Sequence, residues 1–139
     1  MRVFLDTNVL VSASATRGLC ADVMRDVLAE HVLVTGDFVL QELRRVLRVR
    51  LKLPADTVES IDGFLREHEV VPKPKAPLAL EVRDPDDRWV LASAVAGRAD
   101  VLVTGDRDLL DLRAKAPLLI VDPRGFWTLL RKTPPTQRQ

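Results

Sequence analysis

The sequence predicts an α/β protein, three layers deep (α/β/α) with a mainly parallel sheet. Short apolar runs at Arg2–Leu5, His31–Val34, Glu69–Val71, Val101–Val103 and Leu118–Val121 read as strands, and helical stretches separate them. Two of the runs end on acids: Val3-Phe4-Leu5 on Asp6, and Val101-Leu102-Val103, through Thr104-Gly105, on Asp106. Open α/β sheets build their sites outside the carboxyl ends of the strands, so both acids are expected at one edge. The length of 139 residues suits a single core.

The elements follow in order. Gly18–Glu30 reads as a helix with Leu19, Val23, Val27 and Leu28 on one face. After the second strand, Thr35-Gly36-Asp37 offers a turn and an N-cap. The helix it opens carries Val39, Leu40, Leu43, Val46 and Leu47 as a 3.6-residue stripe. Pro54 opens the next helix, with Val58, Ile61, Phe64 and Leu65 inward. The third strand is stopped by Pro72-Lys73-Pro74-Lys75-Ala76-Pro77, an extended surface loop, since too little chain lies on either side for two domains. Asp84-Pro85-Asp86-Asp87 begins a helix that runs to about Gly97; Trp89–Ala96 is apolar almost all round and should lie buried against the sheet. A short helix from Asp106 and a last helical turn with Phe126, Trp127, Leu129 and Leu130 complete the pattern. One domain is expected over residues 1–131 and a disordered tail over 132–139.

Composition narrows the function classes. A hydrophobic share of 47% with 29% charged residues is that of an ordinary soluble protein, and a net charge of +1 puts any basic surface down to local clustering. The single Cys20 excludes an internal disulfide framework and reads as a small core residue. No stretch at the start is apolar enough for a signal peptide or membrane span, which makes a cytoplasmic setting the expectation.

Four acids then carry the chemistry: Asp6, Glu42, Asp87 and Asp106. Each also has a purely structural reading. Asp6 or Asn8 can form an Asx turn, whereas in the functional reading Thr7 and Asn8 orient the Asp6 carboxylate. Glu42, at the border of its helix's apolar stripe, can pair with Arg45. Asp86 and Asp87 fall in a first helical turn behind an Asp84 cap, and Asp106 can cap the helix bearing Leu109, Leu110 and Leu112, with Asp108 as its dipole partner. Taken together, four acids near one sheet edge suit a hard cation such as Mg²⁺ or Mn²⁺, which offsets repulsion that would otherwise protonate them. That is the pattern of a metal-dependent phosphodiester-cleaving enzyme. The basic run Arg44, Arg45, Arg48, Arg50 and Lys52 is either the solvated face of a helix or a phosphate rail, to which Lys73 and Lys75 can add. His31 and His68 suggest no catalytic pair, Ser12 and Ser14 lack a nucleophile elbow, and no Gly-rich phosphate loop occurs.

Phe4-Leu5-Asp6-Thr7-Asn8-Val9-Leu10, Glu42, Asp87-Arg88-Trp89-Val90-Leu91-Ala92-Ser93-Ala94 and Val103-Thr104-Gly105-Asp106 resemble the PIN-domain nucleases in order and spacing, from about residue 2 to Val121. The likeness is closest to the virulence-associated protein C-like (VapC-like) toxins of bacterial and archaeal toxin–antitoxin systems. It implies a five-stranded sheet ordered 3-2-1-4-5. It also implies that Asp6, Asp87 and Asp106 hold Mg²⁺ or Mn²⁺, with Glu42 on the metal or its water. Thr104 falls in the supporting hydroxyl position and Asp108 where some members carry a further acid; Asn8 is a supporting neighbour of Asp6. The Asp-x-x-x-x-Ala spacing favours Asp87 over Asp84 and Asp86 as the third acid. Implied in turn are endoribonuclease activity leaving 5′-phosphate and 3′-hydroxyl ends, homodimers and a cognate antitoxin; within the basic run, Arg44, Arg45 and Arg48 are the candidate RNA contacts. Two rivals remain: a non-catalytic RNA-binding module on the same scaffold, and a metal-dependent phosphatase or phosphotransfer domain. The second needs acids that Asp6-Thr7-Asn8 does not supply.

Overall fold

The computed structural model describes residues 1–80 and 82–132. The tail expected at 132–139 lies outside these apart from Lys132, which ends the last helix. Among the described residues the order is β1 (Arg2–Leu5), α1 (Thr7–Ala15), α2 (Leu19–Glu30), β2 (Val32–Gly36), α3 (Asp37–Arg45), a π turn (Val46–Arg50) and α4 (Ala55–Arg66). There follow β3 (Glu69–Val71), α5 (Pro85–Ala96), β4 (Val101–Val103), α6 (Arg107–Leu110), β5 (Leu119–Val121) and α7 (Pro123–Lys132). The strands form one parallel sheet ordered β3-β2-β1-β4-β5, as expected.

That order fixes where a site can form. The chain steps from β1 outward to β3, then returns to the other side of β1 as β4. The two directions of right-handed crossover put helices on both faces and open a crevice at the carboxyl ends of β1 and β4. Leu5 stands opposite Val103 in that pair, and the Asp6 N–H still reaches the Val103 carbonyl at 3.0 Å. Strands buried on both faces must be apolar throughout, and Val3, Phe4, Leu5, Val101, Leu102 and Val103 are all fully buried. Val23 and Val27 of α2, Leu40 and Leu43 of α3, Leu91 and Ala94 of α5 and Phe126 and Leu130 of α7 complete the core.

Several local expectations are revised. β2 runs on through Thr35 and Gly36, which pair with Val70 and Val71 instead of turning. Leu28 and Phe64 are exposed, because their helices bury narrower stripes than the apolar count suggests. The largest omission is α1. Thr7, Val9 and Val11 are β-branched and give no clear helical signal, and the helix is started by tertiary anchoring of its cap, Asp6.

Gly97 ends α5, but for a reason other than conformational freedom. Its backbone is right-handed (φ −80°), whereas Arg98 adopts the left-handed φ of 53°. Arg98 N–H donates to the Val95 carbonyl and Ala99 N–H to the Ala94 carbonyl, both at 3.0 Å, which is the Schellman arrangement with Arg98 as its left-handed residue. Gly97 is glycine for space: a Cβ there would stand 2.7 Å from Val34 Cγ1 and 2.8 Å from Val71 Cγ2. Gly97→Ala should therefore lower stability by about 1–3 kcal/mol through overpacking. Arg98→Gly should raise it by roughly 1 kcal/mol by removing the left-handed penalty. Denaturant midpoints of the two variants, moving in opposite directions, check the assignment.

Candidate active site

Asp6 follows β1 directly and caps α1. Only 5% of it is exposed. Its Oδ1 accepts from the Thr7 N–H (2.7 Å), and its Oδ2 accepts from the Thr104 hydroxyl (2.8 Å) and, at longer range, from Asn8 Nδ2 (3.4 Å). The same Thr104 oxygen accepts from the Asp106 N–H (3.0 Å), and Asn8 Oδ1 accepts from the Gly105 N–H (2.9 Å). Thr104 and Asn8 thus clamp the β4–α6 corner onto the start of α1. Thr7 contributes its backbone only, since its buried hydroxyl has no hydrogen-bond partner.

Asp106 caps α6, its Oδ1 accepting from the Asp108 N–H at 2.8 Å. Asp84 caps α5 in the same way, accepting from the Asp86 N–H at 3.0 Å with Pro85 in the first turn. The helix then carries Asp87 inward, while Asp84 and Asp86 stay exposed. Asp87 is 4% exposed and its Oδ2 is buried with no hydrogen-bond partner, a costly state for a carboxylate oxygen. Glu42, on the second turn of α3, is half-buried and faces the same space. The result is a cleft of about 320 Å³. Asp6, Glu42, Asp87 and Asp106 line it together with Asp84 and Asp86; Val11, Val46, Leu51 and Val90 supply apolar lining. One carboxylate oxygen from each of Asp87, Asp106 and Asp108 lies within 4.8 Å of the other two.

The electrostatics are those of acids held together without an ion-paired counter-charge. Burial pushes the Asp6 carboxyl up to about 6 against the Thr104 and Thr7 hydrogen bonds, and the charges of Glu42 and Asp106 raise it further. Asp87 is pushed up to about 8, first by burial and then by Asp106, Asp84 and Asp6. Glu42 is also raised, by burial and then by Asp86, with Arg45 pulling the other way. Among the described residues no ion pair involves any of the four acids. Oxygen-only donors, an orphaned carboxylate oxygen and mutual repulsion fit a hard divalent cation, which would satisfy all three.

The basic run is divided by the fold. Arg44 is ion-paired with Glu59 and, at 3.4 Å, with buried Asp62; Arg66 joins Asp62 and Asp37, both at 2.9 Å, so these charges cross-link α3 and α4. Arg44, Arg45 and Arg48 line a separate open depression with Val49, whereas Arg50 lines the acidic cleft. His31 and His68 do not line the cleft.

A parallel 3-2-1-4-5 sheet with buried Asp6 after β1 and half-buried Asp106 after β4 defines an α/β protein with a cluster of carboxylates at the carboxyl edge of its sheet. The chain belongs to the PIN domain family, whose model matches residues 2–108. Its fold is shared with VapBC2 from Rickettsia felis, solved bound to a DNA fragment from its promoter, at 18% identity and a TM-score of 0.62 over 88% of this chain and 98% of that one. PAE2754 from Pyrobaculum aerophilum aligns at 19% identity and 0.61 over 96% and 91%. FitAcB from Neisseria gonorrhoeae aligns at 18% and 0.58 over 88% and 98%. No curated protein matches the sequence closely enough to count as a relative.

Proposed function

We propose that this protein is an Mg²⁺- or Mn²⁺-dependent endoribonuclease and the toxin of a toxin–antitoxin pair. The observation that carries the reading is the convergence of Asp6, Glu42, Asp87 and Asp106 on one cleft, with Asp87 Oδ2 left without a protein partner. Asp6, Asp87 and Asp106 would hold the cation, with Glu42 beside it and Asp108 able to join them. A bound divalent ion supplies charge neutralisation at the cleaved phosphate and a more acidic water. The chain's own residues do the positioning. Thr104 and Asn8 fix the Asp6 carboxylate and the Asp106 backbone in one frame. Glu42, whose carboxyl is raised, is placed to accept a proton from the attacking water.

Arg45 and Arg48 have no ion pair among the described residues and can hold RNA phosphates, with Arg44 contributing from within its cross-link. The complexes that share the fold, VapBC2 and FitAcB, support a cognate antitoxin and a toxin role here. A homodimer and a cytoplasmic setting belong to the same proposal; no helix among the described residues is long and apolar enough to cross a membrane. Residues 1–131 would then act as one nuclease domain.

The test is incubation of the purified protein with tRNA and single-stranded RNA in Mg²⁺, Mn²⁺ or chelator. Cleavage confined to the metal arms, leaving 5′-phosphate ends and absent in Asp6→Asn, is the expected result. RNA binding without cleavage in any arm would establish the binding-module rival. In cells, expression alone should arrest growth, and Asp6→Asn at equal level should not; growth with active enzyme present would remove the toxin role and leave the nuclease.

A further inference from the structure

The π turn at Val46–Arg50 has a functional consequence that the regular helical stripe conceals. Its closing bond runs from the Leu51 N–H to the Val46 carbonyl at 3.0 Å, one residue wider than an α-helical bond. Glu42 of α3 and Val46, the first residue of the π turn, both face the acidic cleft. In an uninterrupted α-helix Arg50 would sit about 80° round from Glu42. The wider π turn carries Arg50 back toward the Glu42 side. The observed lining agrees: Glu42, Val46 and Arg50 all border the acidic cleft, while Arg44, Arg45 and Arg48 border the other depression. The register is locked behind Arg50 by left-handed Lys52 (φ 54°) and by the Leu53 N–H bond to the Leu47 carbonyl at 2.9 Å.

Arg50 is the one Lys or Arg among the described residues that line this cleft, and it has no ion pair with any of the acids beside it. An exposed guanidinium at the rim of an acidic cleft, left unneutralised, is available to a ligand oxyanion. We infer that Arg50, turned into the cleft by the π segment, is a substrate-binding residue that grips a backbone phosphate next to the one cleaved. The inference rests on the nuclease reading above. The neighbouring phosphate is favoured over the scissile one because Arg50 makes no pair with the metal-binding acids. Its grip would set the register of the strand and leave the chemical step alone.

Single-turnover cleavage of a short single-stranded RNA, with binding measured over a range of salt, tests this on Arg50→Ala and Arg50→Lys. Arg50→Ala should raise the half-saturating RNA concentration about tenfold. It should flatten the salt dependence of binding by about 0.7, one lost phosphate contact on a single strand. The cleavage rate at saturating RNA and the thermal shift on adding Mn²⁺ should stay within twofold of wild type. Arg50→Lys should restore the salt slope while regaining only part of the affinity, because lysine keeps the charge and loses the fork. A salt slope and affinity equal to wild type in Arg50→Ala would overturn the inference while leaving the nuclease intact. A collapsed saturating rate with a lost Mn²⁺ shift would overturn it too, making Arg50 a support of the metal centre. Wild type that binds RNA but never cleaves it would remove the nuclease reading, and the salt slope would still decide whether Arg50 holds phosphate.

Discussion

Asp87→Asn is expected to slow RNA cleavage by orders of magnitude and, in the same protein, to raise the melting temperature measured without metal. The two effects share one cause. In wild type a buried carboxylate faces Asp106, Asp84 and Asp6 with one oxygen unpartnered, an arrangement that costs stability and that a bound cation would relieve. Asparagine keeps the size, removes the charge and can donate to the neighbouring carboxylates. Loss of a ligand at the reacting centre should lower the saturating rate by roughly 10²–10³-fold, the scale seen when a single electrostatic stabiliser is removed. Metal-free melting should rise by several degrees, and the further rise on adding Mn²⁺ should shrink. Calorimetric melting with and without Mn²⁺, beside single-turnover rates, checks both halves. An Asn variant that melts lower than wild type in chelator would show that Asp87 is a net stabiliser in its own right, contrary to the repulsion argument.

Metal-free stability should fall as pH rises, while the increment added by metal should grow. The folded-state values of Asp6, about 6, and Asp87, about 8, both lie above the ordinary aspartate value of 3.8. The folded protein therefore holds protons that the unfolded chain has already released. Their stabilising contribution is fully present below about pH 4 and is lost as pH rises through about 6 for Asp6 and about 8 for Asp87. For Asp6 alone the shift corresponds to on the order of 2–3 kcal/mol between those limits. Metal binding needs the deprotonated acids, so Mn²⁺ should stabilise little at pH 5 and strongly at pH 8, by roughly 2.7 kcal/mol at a hundredfold excess over Kd. Melting in chelator should fall from pH 5 to pH 8.5, and the Mn²⁺-dependent increment should grow over the same range. A metal-free melting temperature that climbs steadily with pH would mean that these carboxylates are not held protonated by their surroundings.

These predictions treat capping and catalysis as compatible, which the sequence alone could not decide. Asp106 caps α6 and Asp84 caps α5, so the structural readings of these positions hold. The capping use of Asp106 occupies one oxygen, Oδ1, and leaves the other for a ligand. A cap at the carboxyl edge of a parallel sheet already stands at the cleft, so capping leaves the same residue able to bind a ligand.

Strand positions, the order of elements and the acids at the strand ends were legible because they rest on local signals: apolar runs bounded by turn residues, and the period of 3.6. The Asp-Pro-Asp-Asp start of α5 was legible too, because proline and carboxylates at a helix N-terminus act within one turn. Helix α1 was not, because its nucleation depends on Asp6 being held by Thr104, a residue 98 positions away in sequence. The reason Gly97 is glycine was hidden in the same way: its neighbours Val34 and Val71 come from other strands. The division of the basic run between an α3–α4 cross-link and the cleft turns on one π turn, and a single extra residue in a helical turn leaves no periodic trace five residues long. Composition and spacing thus determined which acids exist and that a sheet would carry them. Only the packed structure decided which carboxylate is left unsatisfied and which arginine reaches the cleft, because burial and through-space charge depend on contacts between segments distant in the chain.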